Sequence, residues 1–248
     1  MVLHERNGGI SYQESVTIGE QKKVVIMAAE GEKPVIQGVG NMPGMDMGGS
    51  SQVFLRGLKV TNGGGVGIRL GVTETYIQRS EVVNNTGGGI VLEGGGNLVL
   101  ENSFVGGNVN DVPAVSVVSG GLVINYSTLA TGFGNAPALF CSDGTGKSVR
   151  NSILVSRSNE AELDCSNVTI TGSALEMAMG ENLVLGEVDI MWFEGYANGN
   201  FHLVPGMYPE ELESAAIWQD GDPLVDIDGE ARQAMAGATD FAGADVVP

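Results

Sequence analysis

The sequence predicts an all-β fold: one chain wound as a single-stranded right-handed parallel β-helix, about three short strands per rung, with an irregular carboxy-terminal closing segment. Three observations carry this expectation. A run of the form apolar-x-x-Ser-x-apolar returns as Ile77-Gln78-Arg79-Ser80-Glu81-Val82, Leu100-Glu101-Asn102-Ser103-Phe104-Val105, Ile124-Asn125-Tyr126-Ser127-Thr128-Leu129 and Val149-Arg150-Asn151-Ser152-Ile153-Leu154. The leading apolar residues lie 23, 24 and 25 apart, and Leu55-Arg56-Gly57-Leu58-Lys59-Val60 supplies an earlier copy 22 residues upstream. Within each copy the apolar residues alternate, which is a strand period. Glycine clusters at 63–65, 87–89, 94–96 and 120–121 mark the tight corners.

Each copy is preceded by a second short strand, at Val66 to Leu70, Ile90 to Leu92, Val115 to Val117 and Leu139 to Cys141. Stacked rungs place equivalent residues about 4.8 Å apart, so Leu55, Ile77, Leu100, Ile124 and Val149 form one expected apolar ladder. Val60, Val82, Val105, Leu129 and Leu154 form the second. Ser80, Ser103, Ser127 and Ser152 turn inward beside a bend, where a large side chain would collide with its copy in the next rung. Asn102 and Asn151 share the bend position and suggest a short side-chain ladder, interrupted by Arg79 and Tyr126.

Upstream, Tyr12 to Ile18, Val24 to Ile26 and Pro34 to Gly38 read as first rungs of less regular period. The segment Gly40 to Ser51, with Met42, Met45 and Met47 among glycines, reads as a projecting, solvated loop. After Ile170 the pattern fades, leaving turns and one short helix around Pro209 to Ala216. Rungs are therefore assigned to 1–172, and the last rung or rungs with a cap to 173–248.

Bulk properties narrow the function. The 39 glycines have no three-residue period, which excludes collagen. A net charge of -18 with 12 basic residues argues against nucleic-acid binding and against attraction to an anionic membrane. No run approaches 18 apolar residues, and Met1 to Arg6 lacks the features of a secretion signal, so no membrane insertion is expected. Cys141 and Cys165 are open to two readings, a disulfide or two separate buried thiols.

The tail carries the most specific motif. Phe201-His202-Leu203, Ser214-Ala215-Ala216-Ile217, Gly221-Asp222-Pro223, Asp226-Ile227-Asp228-Gly229-Glu230-Ala231-Arg232 and Thr239-Asp240-Phe241-Ala242-Gly243-Ala244-Asp245 occur in that order. This resembles the closing segment of bacterial parallel β-helix proteins of the pectin-lyase-like superfamily, choice-of-anchor Q type. Trp218 stands where that family has Asp, Ala231 where it has Pro, and Asp245 where it has Glu. Gly9-Ile10-Ser11-Tyr12-Gln13-Glu14-Ser15-Val16-Thr17-Ile18 resembles the family's opening strand. The resemblance implies export or display on a bacterial surface. It also implies an amphipathic helix over the first rung; here Met1 falls almost directly before the first strand, so another segment or chain is expected to supply that lid.

Lyases on such a fold need cation-bound carboxylates beside a Lys or Arg base, stacked on one outer face. The outward columns read Arg56, Gln78, Glu101, Asn125, Arg150 and Lys59, Glu81, Phe104, Thr128, Ile153, and neither groups several carboxylates with a base. Lys59, Arg79, Glu81 and Glu101 make the one mixed patch proposed for binding, against the plainer reading of surface salt bridges. A hydrolase would need neighbouring Asp residues, but Asp143, Asp164 and Asp189 occupy unlike repeat positions. His4 and His202 lie outside the rungs, which leaves no histidine triad or zinc cluster expected. Asp220, Asp222, Asp226 and Asp228 offer oxygen ligands for calcium; the structural alternative has Asp228-Gly229 form a turn and Arg232 pair with Asp226 or Asp240. Phe54, Tyr76, Phe104, Tyr126, Phe133 and Phe140 in or near the rungs suggest a strip on which sugars stack. The sequence thus favours an exported structural and binding module for a polysaccharide or cell-surface component. The alternative is a carbohydrate-active enzyme of pectate-lyase or polysaccharide-hydrolase type.

Overall fold

The alternation within each repeat copy becomes a strand, and the glycine-marked breaks become corners. A computed structural model describes residues 1–108, 110–132, 135–143, 146–157 and 161–247. Among these, three parallel sheets of eight, nine and seven strands climb a right-handed coil, and two antiparallel strand pairs lie in the tail. The first sheet contains Ser51–Arg56, Thr73–Gln78, Asn97–Glu101, Gly121–Asn125 and Lys147–Arg150; the second contains Lys59–Thr61, Glu81–Val83, Phe104–Gly106, Thr128–Ala130 and Ile153–Val155; the third contains Ile68–Leu70, Ile90–Leu92, Val115–Val117 and Leu139–Cys141. The register pairs Leu55, Ile77, Leu100, Ile124 and Val149 in one ladder and Val60, Val82, Val105, Leu129 and Leu154 in the other. All ten are buried and line the bore.

The first corner, between the first and second sheets, has a two-residue code. Gly57, Arg79, Asn102, Tyr126, Asn151 and Gly172 all take the left-handed backbone conformation, with φ between 46° and 72°. The serine that follows turns inward. Its hydroxyl accepts the corner N–H of the preceding rung: Leu58 to Ser80 at 3.2 Å, Ser80 to Ser103 at 3.2 Å, Ser103 to Ser127 at 3.3 Å and Ser127 to Ser152 at 3.1 Å. The same hydroxyls donate to the carbonyl two residues back, as Ser103 does to Glu101 at 2.8 Å. Serine thus serves at these corners through its hydrogen bonds as well as its size, whereas the earliest copy has Leu58 there, buried in the core. The expected Asn102–Asn151 ladder does not form, because a left-handed residue points its side chain outward here. The asparagine ladder lies at the next corner, where Asn85 accepts from Gly63 N–H at 3.1 Å and donates to Val60 and Val83 carbonyls.

The segment Gly40 to Ser51 is not a projecting loop. Met45–Met47 is a strand of the third sheet paired with Ile68–Leu70, and both methionines are fully buried. Met-Asp-Met is the repeat's alternation one period upstream, and Gly44 stands in the column of Gly67 and Gly89. A Cβ at these three glycines would meet Val60, Val82 and Val105 at 2.6, 2.6 and 2.5 Å. Cys141 and Cys165 are register partners in adjacent rungs and form a disulfide. Their column holds Met47, Leu70, Leu92 and Val117 in earlier rungs. The short helix appears as a 3-10 turn at Glu210–Ser214.

The closing segment lies along the flank of the coil rather than across its end. The outward residues Val83, Phe104, Ala130, Ile153 and Val155 of the second sheet are buried against Trp192, Phe193, Phe201, Leu203, Leu212, Trp218, Ile227 and Ala242 in a second core. In the last rung Leu163, Val168 and Ile170 remain only partly covered. The outward column Lys59, Glu81, Phe104, Thr128, Ile153 is therefore buried from Glu81 onward, which explains its apolar members.

Replacing Ser127 by Ala strands the Ser103 N–H in a buried corner, and urea denaturation should show a loss of about 1–3 kcal/mol. Reducing the disulfide, which closes a loop of 24 residues, should lower stability by about 3 kcal/mol in the same assay.

Candidate functional site

The outward side chains of the left-handed corner residues grip the returning tail. Arg79 Nε donates to the Ile227 carbonyl at 3.1 Å, Asn102 Nδ2 to the Val225 carbonyl at 2.6 Å, and Asn151 exchanges both hydrogen bonds with the Ile217 backbone at 3.1 and 3.2 Å. Tyr126 presents its ring to the Arg232 guanidinium, 4.2 Å away. Arg232 is buried and donates to the Gly243 and Phe241 carbonyls and to Asn102, with Asp240 at 3.6 Å. Asp226 Oδ1 accepts three successive N–H groups, from Asp228, Gly229 and Glu230. That turn is the one expected at Asp228-Gly229.

The four residues of the mixed patch do not converge. Glu81 is buried between Lys59 and Lys33, each at 2.6 Å, and those two ammonium groups hold its carboxyl below the usual carboxylate range despite burial. Glu101 accepts from Gln78 at 2.5 Å, one strand face away, and Arg79 turns to the tail. The four tail aspartates are likewise spread. Asp222 pairs with Arg150 and accepts from Asn125, Asp226 forms the turn, Asp228 faces His202 and Lys33, and Asp220 is exposed. Of the aromatic strip, Phe54 and Tyr76 stay half-buried together on the first sheet, and Phe140 stays half-buried apart from them on the third. The Phe54 and Tyr76 rings lie 18° from parallel with centroids 5.4 Å apart, so each spends one face on the other. Phe104 and Tyr126 are buried under the tail, and Phe133 lies outside the described residues.

A groove of about 630 Å³ opens where the tail meets the first corner of the early rungs. The small residues Ala28, Ala29, Gly31 and Gly57 line it together with the charged Lys33, Arg56, Arg79, Glu30, Glu32 and Asp228. Lys33 is ion-paired with Glu81 and Asp228, and Glu32 accepts the Glu5 N–H and contacts His4. Among the described residues, neither Arg56 nor Arg79 has a carboxylate in ion-pair reach. Sequence reasoning placed Arg56 in an outward column but missed the groove, because its far wall at Ile227 and Asp228 lies about 150 residues downstream.

Two other polar clusters sit under the tail. His202 Nε2 lies 2.5 Å from Asp228 Oδ2, and Asp245, whose Oδ2 accepts the Leu203 N–H at 2.7 Å, completes a group with ligand atoms within 4.8 Å of one another. Burial pushes the Asp245 carboxyl up to about 6, and Asp228 raises the His202 imidazole against its desolvation. In the second cluster Glu176 takes the Ser156 and Val188 N–H groups at 2.7 and 3.1 Å. Burial, with Glu162 and Glu187 nearby, pushes its carboxyl up to about 7. Compared with known proteins, the chain matches no family model, no curated protein and no solved structure.

Glu176 gives a pH dependence of definite sign. Below about 4.5 both folded and unfolded chains hold its proton, whereas between 4.5 and about 7 only the folded chain does. Its contribution to stability therefore falls as pH rises through that window. The urea midpoint of the parent should drop more steeply from pH 4.5 to 7 than that of Glu176→Gln; parallel profiles would contradict the assignment.

Proposed function

We propose that the chain is an exported or cell-surface binding and structural module, a β-helix of pectin-lyase-like, choice-of-anchor Q type, that holds an acidic saccharide in the groove at its first corner. The observation that carries this reading is Arg56, whose guanidinium has no hydrogen bond or ion pair among the described residues, beside Arg79 of the next rung, which gives only Nε to the tail, over a groove of about 630 Å³. A guanidinium binds a carboxylate in a two-point fork, and a site with one charged anchor per sugar fixes register along a chain. Glu30, which also lines the groove, supplies an acceptor for hydroxyl groups. The disulfide supports an oxidising compartment, since such bonds persist mainly outside the reducing cytosol.

Titration with a panel of polyuronate oligomers should give saturable binding by calorimetry, weakened about 10- to 100-fold by Arg56→Ala, a charge-assisted contact of about 1.5–3 kcal/mol, and weakened further by salt. Binding equally strong in Arg56→Ala would remove the groove from consideration. Growth of absorbance from unsaturated sugar ends in the same mixtures would transfer the protein to the alternative class, a polysaccharide lyase.

A further inference from the structure

The contact between His202 and Asp228 has a chemical peculiarity that the rest of the tail does not share. Asn200 donates from Nδ2 to Glu194 Oε2 at 3.1 Å, which fixes its amide so that Oδ1 faces His202 Nδ1. An amide oxygen and a carboxylate only accept, so the ring donates from both nitrogens as an imidazolium, its Nε2–H meeting Asp228 Oδ2 at 2.5 Å. A divalent metal ion can take the place of that Nε2 proton. Asp245 adds a second carboxylate within 4.8 Å: one oxygen takes the Leu203 N–H and the other has no protein hydrogen-bond partner among the described residues.

We propose that His202 Nε2, Asp228 Oδ2 and Asp245 Oδ1 form a binding site for a divalent transition metal, zinc by its donor set, which ties the tail hairpin to the strand Asn200–Leu203. One imidazole and two carboxylates suit zinc, at ligand distances of about 2.0–2.2 Å, and leave a fourth position for water. The Nε2 to Oδ2 gap needs to open by only about 1 Å to admit the ion. Lys33 Nζ approaches Asp228 Oδ1 at 3.5 Å and so leaves Oδ2 for the metal. Asn200 acts as a positioning residue that fixes the imidazole tautomer, as outer partners of metal-bound histidines do. The site shares Asp228 with the groove, but neither His202 nor Asp245 lines it, so their variants test metal uptake without touching the saccharide reading.

The full chain, stripped with a chelator and titrated with zinc at neutral pH, should take up one ion by calorimetry. Asp245→Asn and His202→Ala should each weaken uptake about 100-fold or more, and Asn200→Ala by about 10–100-fold. Cobalt added to the stripped parent should give the visible bands of a four-coordinate ion, altered in Asn200→Ala. A parent with no saturable uptake and no such bands overturns the proposal whatever the variants do. Uptake unchanged in Asp245→Asn and His202→Ala overturns it equally, by placing the ion elsewhere.

Discussion

Everything in this molecule turns on the first corner, where a left-handed residue is followed by serine. The left-handed conformation costs about 1–2 kcal/mol for a residue with a Cβ, and the chain accepts that at Arg79, Asn102, Tyr126 and Asn151. Two returns offset it. The backbone turns sharply enough to drive the serine hydroxyl into the corner, where it satisfies a buried N–H of the rung before. The same geometry sends the preceding side chain outward, where it becomes a handle for the tail. One corner therefore fixes both the climb of the coil and the place where the carboxy-terminal segment adheres.

Much of the coil was legible because a solenoid writes its register into sequence spacing. The inward ladders follow directly from the 22- to 25-residue period, and so does the burial of the serines. Met45-Asp46-Met47 was misread because methionine among glycines gives a weak strand signal, although the segment lies one period before Ile68-Arg69-Leu70. The disulfide was available by the same arithmetic: Cys165 lies 24 residues after Cys141, which is one rung. Extending the third-sheet pattern past Leu139 would have paired them.

The groove and the tail clusters were not legible, and the reason is physical. Periodicity reports contacts between neighbouring rungs, whereas Arg79–Ile227 and Asn102–Val225 join residues 148 and 123 positions apart. Aspartates that looked like a calcium set serve different tasks, because a backbone folded into an Asp-Gly turn and a strap across a sheet each use carboxylates as hydrogen-bond acceptors. Arg232 shows how local reading half succeeds. Its expected acidic partner Asp240 is present, yet its principal bonds go to main-chain carbonyls and to Asn102.

The tail's direction of travel has a mechanical consequence. It leaves the late rungs near Ile217 and runs back to Asp228 beside Lys33, opposite to the climb of the coil. A bare stack of rungs is a one-dimensional array that frays from either end, each turn held only by its neighbours. A return strap spanning early and late turns abolishes that independence: peeling away an outer turn also strips the strap from the middle. The array thereby behaves as a closed loop, and tension applied at one end is shared along the whole length.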